Sequence, residues 1–256
     1  MSHLRGAPVE GSVVVVTGAN RGIGLGFVRE ALDRGAAKVY AGVRDTGSTT
    51  DELRATGAEI IQLEVTSPAD VAAAAAHCTD ATVLVNNAGL HENDRLVKAV
   101  DPDAARREME VNYFAPLATT RAFAPVIAAN GGGSIVNVLS VAAIAPTAFM
   151  GGYSPSKAAA LYLGGITRAE LGPDRITCTS LIVGSVDTRM AAHVDGRKED
   201  PRDIARVGLR AMERGEWTCD TDRMASESRA RLAMDPVRYE TGLGKLLFLS
   251  ELSTGA

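Results

Sequence analysis

Tyr153 and Lys157 stand four residues apart in the stretch Gly151-Gly152-Tyr153-Ser154-Pro155-Ser156-Lys157, which runs on into alanines and leucines. Proline has no N–H and is tolerated in a helix only in its first turn. The stretch therefore predicts a helix that begins at residues 152–154 and runs through Leu171, where Gly172-Pro173 stops it. Residues at i and i+4 share a helix face, so the phenol and the ammonium point into one space. A cation beside a phenol favours the phenolate and lowers its pKa from a reference of about 10. A tyrosine tuned in this way can give or take a proton near neutral pH. A second stretch, Thr17-Gly18-Ala19-Asn20-Arg21-Gly22-Ile23-Gly24, follows an apolar run. Glycines at such a strand-to-helix turn let the backbone bend sharply and approach a pyrophosphate at the helix N-terminus.

These residues need elements to carry them. Short β-branched runs at 12–18, 37–43, 58–65, 81–89, 133–140 and 175–184 read as strands. Ala-rich amphipathic stretches at 24–35, 68–78, about 102–129, 153–171 and 200–215 read as helices between and after them. Residues 216–220 then give a last strand and 222–234 a last helix. Strand–helix alternation of this kind predicts an α/β fold with a parallel sheet covered on both faces, and unalternated apolar strands suit it. No linker or repeat divides the chain. It reads as an N-terminal lead (1–11), one Rossmann-type doubly wound domain (12–235) and a C-terminal extension (236–256).

Composition narrows the function. The 256 residues are 46% hydrophobic and carry a net charge of −4, which offers no broad basic surface to nucleic acid or anionic membrane. The apolar runs fall well short of the roughly 18 residues that span a bilayer. The first residues, MSHLRGAPVEGS, lack the apolar core of a signal peptide, and a cytoplasmic location is expected. Cys78, Cys178 and Cys219 are odd in number and far apart, which suits free thiols in a reducing cytosol. His3, His77, His91 and His193 form no metal spacing and read as surface residues.

Five motifs occur in order: TGANRGIG at 17–24, NNAG at 86–89, Asn112 in VNYFAP, Ser140 ending IVNVLS, and Tyr153 with Lys157 in YSPSK. On these the chain resembles, from residue 12 to about 220, the short single-domain branch of the short-chain dehydrogenase/reductase family. The resemblance implies that Ser140 binds a substrate carbonyl oxygen. Tyr153 exchanges a proton with that oxygen. Lys157 binds the nicotinamide ribose and lowers the tyrosine pKa, and Asn112 holds a water through its main chain. It implies a nucleotide site made by Gly18, Asn20, Arg21, Gly22, Ile23 and Gly24, by Glu64 and Val65, and by Asn87, Ala88 and Gly89. Gly184, Val186 and Thr188 stand beside the nicotinamide. It also implies a small-molecule carbonyl or alcohol as substrate and a homodimer or homotetramer. Two positions depart from the family: Val183-Gly184 replaces Pro-Gly after the sixth strand, and Glu64 replaces an aspartate.

In folds of this type an acid at the end of the second strand accepts hydrogen bonds from a free ribose 2′-hydroxyl. Here Val43 occupies that position, Arg44 follows, and Arg21 lies in the glycine turn. Guanidinium groups grip phosphate with charge-assisted bonds, so NADP(H) is expected over NAD(H). Asp45 is expected to point away or to pair with an arginine. The expected function is NADP(H)-dependent interconversion of a ketone or aldehyde with an alcohol. The alternative is a catalytically weak NADP-binding regulatory module. Sugar-nucleotide epimerisation on the same fold calls for a larger C-terminal domain than this length supplies. The only segment expected to cover the substrate is about 190–201, short and rich in charge.

Overall fold

The computed structural model describes residues 5–191 and 196–253. His3, His193 and the middle of the 190–201 segment lie outside the described residues. The strands are β1 (Val13–Thr17), β2 (Lys38–Val43), β3 (Glu59–Gln62), β4 (Val83–Asn86), β5 (Gly133–Val138), β6 (Ile176–Ile182) and β7 (Thr218–Asp220). They form one parallel sheet in the order β3-β2-β1-β4-β5-β6-β7. The helices are α1 (Gly22–Asp33), α2 (Asp51–Arg54), α3 (Pro68–His77), α4 (Ala104–Met109), α5 (Ala115–Ala129), α6 (Tyr153–Leu171), α7 (Pro201–Glu213), α8 (Arg223–Met234) and α9 (Pro236–Ser253).

Side chains of a strand alternate between faces, and β1 shows how the two cores arise. Val14 and Val16 join Phe27 of α1 and Leu209 of α7 on one face of the sheet. Val15 joins Phe123 and Ile127 of α5 on the other. The central strands are thus buried on both sides, which is why β1 and β4 are apolar almost throughout. Strand order reverses between β1 and β4, and a ligand crevice is expected at the C-terminal ends of the strands there.

The expected elements are present, with strands up to three residues shorter at their ends. Three local features lie outside the expected pattern. α2 is a single turn capped by the Thr50 hydroxyl, which accepts the Leu53 N–H. The helical stretch from 104 to 129 is interrupted by a π-helical turn at Glu110–Phe114. Residues 236–253 form α9 rather than irregular chain. It contacts α8 and the 3₁₀ turn Ala148–Met150. Among the described residues no helix is long and apolar enough to cross a membrane.

Candidate active site

The glycine turn and the end of β4 are fastened together before any ligand is considered. Thr17 Oγ1 accepts the N–H groups of Asn87 (2.9 Å) and Ala88 (3.0 Å). The Asn87 side-chain amide donates to the carbonyls of Thr17 and Gly18. Gly18 has φ +63°, a left-handed conformation that favours glycine. A Cβ on Gly24 would lie 2.3 Å from the Gly18 carbonyl, so only glycine lets α1 begin this close to the turn. A cavity of 1450 Å³ opens over this crevice, and Gly18, Gly22, Ile23, Gly89, Ser140 and Tyr153 are among its lining residues.

At one end of the cavity Val43 is buried while Arg44 is 82% exposed along its side chain. Arg21 is exposed on the same wall. Asp45 turns back to accept the Gly47 N–H at 2.9 Å, capping a short turn where arginine pairing was one expectation. Glu64 faces Thr66, whose N–H and hydroxyl it accepts, and lies 4.0 Å from the Arg44 guanidinium. Val65 is buried against the cavity wall. The Asn20 side chain binds the Thr50 N–H and the Ser48 carbonyl, so it holds the 46–50 loop.

At the other end Gly184, Val186 and Thr188 line the wall. Val186 is buried and bridges to Glu199. The Thr188 methyl stands 3.1 Å from where a Gly22 Cβ would be. Asp222 accepts the Gly184 N–H at 2.7 Å and the Thr221 hydroxyl at 3.1 Å, and it caps α8 through the Ala225 N–H at 2.9 Å. A carboxylate therefore holds the turn that lacks the family's proline.

Between these ends lie Ser140, Tyr153 and Lys157, each under 9% exposed. Ser140 Oγ accepts the Ala142 N–H. Tyr153 opens α6, and Lys157 one turn later donates to the Val138 carbonyl at 3.0 Å. The Lys157 ammonium is 5.6 Å from the Tyr153 ring centre and 3.4 Å from where a Gly89 Cβ would sit. Asn112 lies in the π-helical turn. Its side chain is engaged by both backbone groups of Leu90 and by the Ser156 hydroxyl, which leaves the main chain for any water contact.

Burial dominates the titration of this group. The Tyr153 phenol is pushed up to about 12 by desolvation, with the nearby Ser140 hydroxyl pulling down and the Glu108 carboxylate pushing further up. Desolvation lowers Lys157 to about 8. The expected depression of the phenol by its lysine is absent here: burial raises the phenol, and the only downward pull comes from Ser140. The shared helix face was legible from spacing; the depth of burial was not.

A family model described as short chain dehydrogenase matches residues 12–199. The chain belongs to the short-chain dehydrogenase/reductase family. The chain is 32% identical over 238 residues to a Mycobacterium tuberculosis protein named 3-alpha-(or 20-beta)-hydroxysteroid dehydrogenase, covering 91% of this chain and 86% of that one. It is 35% identical over 185 residues to the Aspergillus terreus short chain dehydrogenase tazN, covering 66% of this chain but only 40% of the longer fungal protein. A short chain dehydrogenase from Burkholderia cenocepacia, solved in complex with NADP, superposes with a TM-score of 0.85 at 40% identity, covering 93% of this chain and 99% of that one.

Several residues of the site were not expected from the sequence. His91, expected at the surface, is one. It is half-buried in the cavity, its ring 5.1 Å from that of Tyr153. Glu108 is 2% exposed and accepts the Glu92 N–H at 2.9 Å. One of its oxygens would be 2.6 Å from a Gly152 Cβ, so it presses on the start of α6. Asp222 carried a legible signal, since an aspartate just before a helix is a common N-cap. Tyr239, Leu243 and Leu246 of α9 line the cavity, which is therefore not covered by the 190–201 segment alone.

Proposed function

We propose that this dehydrogenase interconverts a ketone or aldehyde and the corresponding alcohol with NADP(H), using Tyr153 as the general acid/base. The observation that carries the reading is the buried cluster of Ser140, Tyr153 and Lys157 on the floor of a crevice fitted to a dinucleotide. The fit rests on the Gly18–Gly24 close approach, which leaves bare backbone where a pyrophosphate would lie. The exposed guanidinium groups of Arg21 and Arg44, beside a buried Val43, favour a ribose 2′-phosphate over a free hydroxyl. The name of the Burkholderia complex supports NADP for that relative, and the mycobacterial relative's name supports an alcohol–ketone couple.

When bound, the nicotinamide supplies the hydride. The chain's own residues orient the substrate and manage the proton. Ser140 donates a hydrogen bond to the carbonyl oxygen and keeps it beside the Tyr153 hydroxyl. Tyr153 passes its proton to that oxygen as charge builds on it. A phenol raised to about 12 holds its proton throughout the neutral range, which suits it to act as the acid when a carbonyl is reduced. Lys157 reaches the ribose hydroxyls from beside Gly89, and the Asn112 main chain holds the water that returns a proton. Buried free cysteines suit a reducing cytosol. Tyr162 and Ile166, i and i+4 on α6, stay 75% and 54% exposed, which favours a homo-oligomer.

The test is NADPH oxidation against a panel of ketones, aldehydes and quinones, with NADH run in parallel, for wild type and Tyr153→Phe. General acid catalysis is worth roughly 10² to 10⁴ in rate. The variant should lose at least a hundredfold in turnover while NADPH affinity, read by fluorescence titration, stays unchanged. Full turnover in the variant refutes the mechanism.

A further inference from the structure

Past Tyr153 the cavity is walled by chain that the nucleotide motifs do not reach. α9 turns Tyr239, Leu243 and Leu246 toward it, spaced i, i+4 and i+7 on one helix face. Beside them stand Phe149 and Met150 of the 3₁₀ turn that α9 contacts. A contiguous apolar patch left in solvent, unlike scattered single side chains, marks a surface that receives something. Met190, Met224 and Leu246 are 42%, 46% and 44% exposed, come from three separate elements, and all line this cavity. Methionine is unbranched and polarisable, and it adapts to irregular apolar shapes.

The charges on the neighbouring α8 face do not alter this chemistry. Glu227 pairs with Arg223 at 2.6 Å and faces Arg231 at 3.9 Å, all within one helix. Their partners are each other, and the apolar side chains of α9 and the 148–150 turn are the hydrocarbon part of the lining.

We propose that α9 and the 148–150 turn form the specificity wall of this site, and that the wall selects a bulky apolar cyclic ketone over small linear ones. The proposal rests on the carbonyl-reduction reading above. Leu243 and Leu246 supply the contact to the ring system, while Ser140 and Tyr153 hold its oxygen.

The full-length protein, saturated with NADP⁺ so that no ketone is reduced during the measurement, is titrated by calorimetry with 1-decalone, a fused bicyclic ketone, and with acetone; turnover is measured separately with NADPH. Wild type should bind decalone at least a hundredfold more tightly. The double variant Leu243→Ala/Leu246→Ala should weaken decalone at least tenfold and leave acetone and NADPH within twofold. Leu243→Trp, which adds bulk to the same wall, serves where the double variant does not fold, as judged by NADPH affinity. It should weaken decalone while sparing acetone. Equal binding of the two ketones by wild type, or unchanged decalone binding in a folded variant, overturns the proposal. Turnover separates the two readings. Decalone that binds as expected but is never reduced removes carbonyl reduction and leaves the wall. Decalone reduced with the same kcat/KM in wild type and variants removes the wall and leaves the reaction.

Discussion

Lys157→Met should make the protein more stable and nearly inactive. The ammonium is 5% exposed, and burial lowers its pKa from 10.5 to about 8. A fall of that size corresponds to roughly 3 kcal/mol of cost to the charged form, at about 1.4 kcal/mol per tenfold. The folded pKa lies below the unfolded one. The native protein therefore bears the full cost below pH 8, and the cost fades as pH rises toward 10.5. Methionine has nearly the same length and no charge, so it removes the cost. It also gives up the charge-assisted hydrogen bond to the Val138 carbonyl, a loss of about 1.5 kcal/mol at the low end for a charged donor. The net gain at pH 7 is about 1.5 kcal/mol, or roughly 4 °C in Tm for a chain of this size. Thermal melts of both proteins, in parallel from pH 7 to pH 10.5, give the answer. The gain should be largest at pH 7 and reverse to a loss by pH 10.5, where the cost has faded and only the missing hydrogen bond remains. A variant that melts at or below wild type at pH 7, or a gain that grows with pH, refutes the view that this lysine is held against its solvation preference.

Two further outcomes follow from the same geometry. Arg44→Asp should weaken NADPH at least tenfold and leave NADH equal or improved, because a hydrogen bond to a charged group is worth about 1.5–3 kcal/mol and the 82% exposure of this side chain places it at the low end. Dissociation constants by fluorescence check it, and an unchanged NADPH/NADH ratio counts against the 2′-phosphate reading. Glu108→Gln removes a negative charge that pushes the Tyr153 phenol up, so the alkaline limb of kcat/KM for reduction should move to lower pH. The charged groups facing that carboxylate, Glu92, Arg107 and Asp94, remain in the variant. A pH profile that does not move assigns Glu108 a structural role only.

The regular elements were legible because each follows a strong local rule. Pro155 in a first turn fixed where α6 begins, and the unalternated valines of residues 13–16 marked a strand buried on both faces. The glycine turn was legible because few side chains tolerate its backbone. α9 was not, although its apolar spacing is helical in hindsight. Gly242 and Gly244 each cost a helix about 1 kcal/mol relative to alanine, and the segment gains by packing on α8 and the 148–150 turn, which no local pattern records. The π-helical turn around Asn112 has no periodic signature either. His91 and Glu108 were missed for a related reason: their roles depend on what folds over them, not on their neighbours in the chain.

Asp222 is a mechanical link as well as a cap. One carboxylate grips the Gly184 N–H after β6 and the Ala225 N–H at the start of α8. The turn proposed to face the nicotinamide and the helix that leads to the apolar wall are thus bolted to the same pin. A ligand that displaced α8 would pull through that pin on the turn at Gly184. Cutting it would free both at once, so that a loss of substrate discrimination and a loosened coenzyme would arrive together, from a residue that touches neither reactant.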